Sequence, residues 1–127
     1  MPGDGVPPIK AAYETFFGDA VLVVDEVPKD WDVATDAPLI VVTDDGGPTI
    51  WPVWSRVLIR STVYADGKQT ARKLRRTATG VLLAHVPFGM AIDKTGLGYT
   101  DGRDEDTGAD MASFAVNATV RTEVITV

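Results

Sequence analysis

The chain has 127 residues, 45% hydrophobic and 24% charged, with no cysteine, one histidine and a formal net charge of −6. That length and balance suit one globular domain, 1–127, and exclude a disordered or fibrous chain; the lack of cysteine excludes disulfides, thiolate metal sites and a cysteine nucleophile. The acidity argues against general affinity for nucleic acid or anionic membranes, and no apolar run approaches the roughly 18 residues of a membrane span.

The opening "MPGDGVPPIK" lacks the basic and apolar regions of a secretion signal, so the protein is expected in the cytoplasm where it is made. Residues 1–7 read as a flexible lead-in. Proline in a first helical turn, glycine at Gly18 and Ile9, Tyr13, Phe16 and Ala20 at helical spacing predict a short helix over about 8–17. "VLVVDEV" predicts a strand over 21–27, "PKDWDVATDAP" a polar loop bounded by prolines, and "LIVVT" a second short strand over 39–43. "DDGGP" (44–48) reads as a plain turn, because a phosphate cradle needs a helix after it and "TIWPVWSRVLIRSTVYA" reads as a strand.

From Val53 to Ala65 the residues alternate. Val53, Ser55, Val57, Ile59, Ser61 and Val63 form one face, expected in the core; Trp54, Arg56, Leu58, Arg60, Thr62 and Tyr64 form the other. Tryptophan, tyrosine and arginine on that second face suit either a protein interface or a second small core layer with snorkelling arginines. "ADGKQTARKLRRTATGVLLAHV" predicts the long helix, with Asp66 and Gln69 as a capping box and Ala71, Leu74, Ala78, Val81, Leu82 and His85 as its buried stripe. Gly80 inside it costs about 1 kcal/mol relative to alanine, which predicts close approach to the sheet. Pro87 and Gly89 end the element. His85 lacks a nucleophile motif or a second histidine and reads as a helix-end residue.

"MAIDKTG" predicts a strand, and the last and longest strand runs over about 111–125. Its Ala112, Phe114, Val116, Ala118, Val120 and Val124 are expected in the core, with Ser113, Asn117, Thr119, Arg121 and Glu123 in water. Before it, "GRDEDTGADMASF" packs carboxylates around glycine. An EF-hand loop needs glycine sixth and glutamate twelfth; counting from Asp101 gives Asp106 and Ala112, and from Asp104 gives Ala109 and Ala115. The stretch therefore reads as a solvated turn that Asp106 starts, with Gly108 at positive φ, against a looser cation site of Asp101, Asp104, Asp106 and Asp110.

Charge is segregated. Residues 14–36 hold seven acids and one lysine, and 101–110 hold Asp101, Asp104, Glu105, Asp106 and Asp110 against one arginine. Between them lie Lys68, Arg72, Lys73, Arg75 and Arg76 with no acid. Blocks of opposite sign on one small domain can attract a neighbouring copy. In chain order these elements are about five strands with one short and one long helix among them.

Three stretches, "PLIVVTDDGGP", "VYADGKQTARKLRRTATGVLLAH" and "RDEDTGADMASFAVNATVRTEV", resemble the tail terminator proteins of long, non-contractile-tailed bacteriophages, particularly those of actinobacteria. The likeness spans the chain from about residue 9 onward. It implies an α+β fold, a mostly antiparallel sheet of about five strands with one long and one short helix packed on one face, and a hexameric ring in the virion, at the head-proximal end of the tail, assembled in the host cytoplasm. Such a ring ends polymerisation of the major tail tube protein and offers a surface to the head–tail connector or neck. It implies neither catalysis nor a cofactor.

A ring needs two different patches that meet head to tail, which assigns basic 68–76 and acidic 101–110, or acidic 19–36, to the subunit interface. Trp54, Arg56, Arg60, Arg121 and Glu123 are candidates for ring or tube contact. If the genome slides through the lumen unbound, Arg56, Arg60 and Arg121 should not line it unpaired. The alternatives are another neck ring (connector or stopper), a DNA-binding module using the 68–82 helix, and a small enzyme, for which the chain lacks a phosphate loop, paired histidines and a G-x-S-x-G elbow.

Overall fold

The computed structural model describes residues 6–44, 49–50, 54–84, 90–92 and 98–121. The expectations for residues 1–5, the turn at 45–48, Val53, His85, Pro87, Gly89, residues 93–97, Glu123 and Val124 lie outside them.

The first helix, α1 (Val6–Phe17), begins earlier than predicted and takes Val6 and Pro7 out of the lead-in. Pro7 and Pro8 sit in its first turn, where amides need no intrahelical acceptor. Gly18, at φ 57°, closes it in the left-handed region, and a single 3-10 turn comes next over Gly18–Ala20. Ile9 and Tyr13 are buried as predicted, but Phe17 continues their stripe while Phe16 and Ala20 are exposed. Residues 9, 13 and 17 form one i, i+4 row, and Gly18 turns the chain before Ala20 can join it.

One sheet holds seven strands: β1 (Leu22–Val24), β2 (Leu39–Asp44), β3 (Thr49–Ile50), β4 (Trp54–Ala65), β5 (Met90–Ile92), β6 (Thr100–Arg103) and β7 (Asp110–Arg121). Five of them cross the sheet in the order β1-β2-β4-β7-β5; β3 lies beside β4 and β6 beside β7. All pairs are antiparallel except β1 with β2. With α1 and the long helix α2 (Lys68–Ala84), this is the expected α+β fold.

Both helices cover the same face. Ile9 and Tyr13 of α1 and Ala71, Ala78, Val81 and Leu82 of α2 meet Ile40, Val42, Ile59, Val63, Phe114 and Val116 of the sheet in one core. Ile59, Ser61 and Val63 point into it, as their alternation predicts. The Tyr13 phenol and the Ser61 hydroxyl share a 2.8 Å hydrogen bond, so neither buried oxygen is orphaned. Burial pushes the Tyr13 phenol well above its usual range, and the Ser61 bond offsets part of that rise.

The opposite face carries a smaller core. The loop between β1 and β2 is anchored there by Trp31, which packs with Leu39, Val41 and Ala109, and with Tyr64 edge-on at 6.3 Å. The Trp31 indole donates to the Ala37 carbonyl at 2.9 Å. A parallel pair needs a crossover, and this one traverses the face away from the helices. Thr62 is buried and Tyr64 half-buried, so that end of the β4 second face is the small core layer rather than open surface. Ser113, expected in water, is buried too: β7 is paired there on both sides, by β4 and β6, and the Ser113 hydroxyl reaches the Thr100 carbonyl at 3.4 Å. Asn117 is exposed as expected.

Two details of α2 differ from expectation. Gly67, at φ 108°, accepts the first helical bond from Ala71, so the capping position falls one residue past Asp66 and the Asp66/Gln69 box is out of phase. Gly80 does not mark a close approach: it is exposed, and a Cβ there would meet nothing within 4 Å. Gly80→Ala should therefore stabilise the fold by about 1 kcal/mol, raising the melting temperature by about 4 °C in calorimetry. Tyr13→Phe, which strands the Ser61 hydroxyl, should cost about 1–2 kcal/mol in urea unfolding. Adding Ser61→Ala should recover part of that loss, the mark of a coupled pair.

Candidate functional site

The basic block lies on α2, because its apolar stripe commits one side of the helix to the sheet and leaves the other to water. Lys68, Arg72, Lys73 and Arg76 are exposed, and Arg75 is turned partly inward. Asp101 on β6 registers with Ala112, a residue of the helix-side core, and so faces α2.

The two blocks meet within one chain. Nε and Nη2 of Arg72 donate to Oδ2 of Asp101 at 2.9 and 2.6 Å, and Nη1 of Arg75 donates to Oδ1. The same Arg75 nitrogen reaches the Thr100 carbonyl at 3.4 Å, and its guanidinium lies 4.7 Å from the centre of the Tyr99 ring. Tyr99 in turn stands edge-on to Phe114. The hydrogen bond from Arg72 is the largest influence holding the Asp101 carboxyl below its ordinary value of 3.8, reinforced by Arg75 against an opposing cost of desolvation. Arg72, Arg75 and Asp101, all assigned from sequence to a joint between subunits, thus form an internal clasp. Lys68, Lys73 and Arg76 have no ion pair among the described residues.

The acidic turn is built by Asp104, not Asp106. Asp104 Oδ2 accepts the Thr107 hydroxyl at 2.7 Å, its Oδ1 lies 3.3 Å from the Asp106 amide, and its backbone bonds Gly108 and Ala109. An aspartate that accepts from two residues onward is the residue that starts an Asx-turn. Gly108 takes the positive φ, 76°, as expected. Glu105 and Asp106 are exposed and Asp110 is half-buried in register with Arg103. Among the described residues no three carboxylate or imidazole groups converge as a metal site would require.

Of the proposed contact residues, Trp54 registers with Arg121 and Arg56 with Thr119 across the β4–β7 pair. Arg60 is half-buried and is not a free cation. Sequence reading missed Tyr99 and a groove of about 410 Å³ beside the start of β1, lined by Gly18, Asp19, Val21, Leu22, Pro28, Asp30, Trp31, Asp36 and Ala37. The signal for it was a tryptophan inside an otherwise polar loop. Asp19 and Asp30 have no partner among the described residues; Asp36 accepts the Asp32 amide at 2.7 Å.

No family model matches the chain, and no curated protein matches it in sequence. Among the described residues no helix is long and apolar enough to cross a membrane.

The clasp makes stability depend on pH. A carboxyl held low in the folded state contributes fully above its unfolded value and loses that contribution as pH falls through the folded value. Asp101→Asn should lower the melting temperature at pH 7, and the gap to the native chain should narrow as pH falls below the ordinary carboxyl value of 3.8 in a series of melts. A gap that stays constant with pH would show the clasp to be a packing contact only.

Proposed function

We propose that the chain is a structural ring subunit of a long non-contractile phage tail, a protein of the tail terminator type. Six copies form a ring at the head-proximal end of the tail tube, end its polymerisation and offer the neck a docking surface. The genome passes through the lumen unbound, and the subunit works without catalysis or cofactor. Its place is the virion, after assembly in the host cytoplasm.

The observation that carries this reading is the separation of charge left unpaired among the described residues. Exposed Lys68, Lys73 and Arg76 stand on α2 over the β4–β7 part of the sheet, while Asp19 and Asp30 stand at the β1 edge. Two unlike, complementary patches at different places on one subunit are what a head-to-tail ring uses. The α+β fold, with both helices on one face, agrees with what the sequence resemblance implies.

The same features suit a connector or stopper ring one layer higher, and tube assembly separates the two. Purified protein added to polymerising tail-tube subunits should shorten the tubes in proportion to its concentration and appear as a ring at one end in negative stain. Unchanged tube lengths with binding to already capped tails would assign it to the neck instead, and retention on DNA at physiological salt would favour the DNA-binding reading.

A further inference from the structure

The clasp between Arg72, Arg75 and Asp101 removes the 101–110 block as the first choice of partner for α2, because its best-placed carboxylate is already satisfied inside the chain. Lys73 and Arg76 remain. They lie three residues apart, hence adjacent on the exposed side of the helix, with no ion pair among the described residues.

The groove at the β1 edge is their complement. Its floor is apolar, with Val21, Trp31 and a Leu22 side chain left 44% exposed, and its rim carries Asp19, Asp30 and Asp36. β1 pairs only with β2 among the described residues, so no strand among them covers that side. Long cationic side chains fit such a surface by laying their methylene stems on the apolar floor while their charged heads meet the rim. The chain cannot fill the groove from its own α2, which packs on β4 and β7, with α1 between it and β1.

We propose that this groove receives the Lys73 and Arg76 face of α2 from a second copy of the chain. The contact is heterologous: each copy offers one helix face and one groove, so association continues until the ring closes. It deepens the ring reading above and rests on it for closure, but its surfaces can be tested without a tail.

The test is a charge swap read by sedimentation velocity. One variant carries Lys73→Glu and Arg76→Glu; the other carries Asp19→Lys and Asp30→Lys. All four positions are exposed, and circular dichroism melts verify that both variants fold. The native chain should self-associate at concentrations up to about 1 mM, at least about tenfold more weakly when salt is raised from about 50 mM to about 500 mM. Each variant alone should stay monomeric, since like charges then face each other. Mixed in equal amounts, the two should associate again, because the reversed helix meets the reversed groove.

A native chain that is monomeric throughout, a single variant that associates like the native chain, or a mixture that does not recover would each overturn the contact. Loss of the contact with tube capping intact would leave the terminator reading standing on other surfaces. A recovered contact without capping would overturn the terminator reading and keep the joint.

Discussion

The β4–β7 ladder is the constraint on which the other elements depend. It runs through twelve registered pairs, from Trp54↔Arg121 to Ala65↔Asp110, about twice the length of an ordinary strand pair. Because strand side chains alternate, this register decides which residues the helices find. Ile59, Ser61 and Val63 share a face with Phe114 and Val116, and a slip of one residue would put Ser113 and Asn117 under α2 instead. The Tyr13–Ser61 bond adds a polar tie between α1 and the same face of β4, giving both buried oxygens a partner.

On this platform α2 has two duties, and they compete for the same helix. Its apolar stripe holds the sheet, while its arginines close on the β6 edge. Asp101 takes two of the five bases, and Tyr99 stacks beneath Arg75, so the charge α2 presents outward is smaller than the sequence count implies. Exposed pairs of this kind add little to stability. Their larger effect is to fix where β6 sits and to leave a defined remainder of positive charge for other molecules.

The fold was legible wherever one face of an element was buried and the other wet. The alternation of 59–65, the stripe of Ala71, Ala78, Val81 and Leu82, and Ala112, Phe114 and Val116 each carry a period that a single buried face imposes. Legibility failed where two sides were used. Ser113 looks like a solvent residue because the pairing with β6 that helps enclose it is not announced in the sequence, and the Thr62 and Tyr64 face fitted an interface as well as a small core layer because the loop that covers it is distant in sequence. Gly80 misleads because exposure, not approach, allows it. The site was half legible: the charge blocks were plain, but which acid meets which base depends on β6 folding back beside β7, and "TDGR" has no strand period to announce that.

The loop from β1 to β2 ties the second core to the candidate groove. Trp31 is both the anchor of the opposite-face cluster and a wall of the groove, so neither can change without the other. The Asp36 part of the groove's rim is held by short local bonds: the Asp32 amide to Asp36, the Ala34 amide to Asp32, and the Asp36 amide to the Asp32 carbonyl. A rim ordered before contact loses little conformational entropy on binding, so carboxylates placed this way can receive a cationic partner at less cost than a mobile acidic tail. The polar residues that make this loop look like a mere connection are therefore the ones that preorganise it.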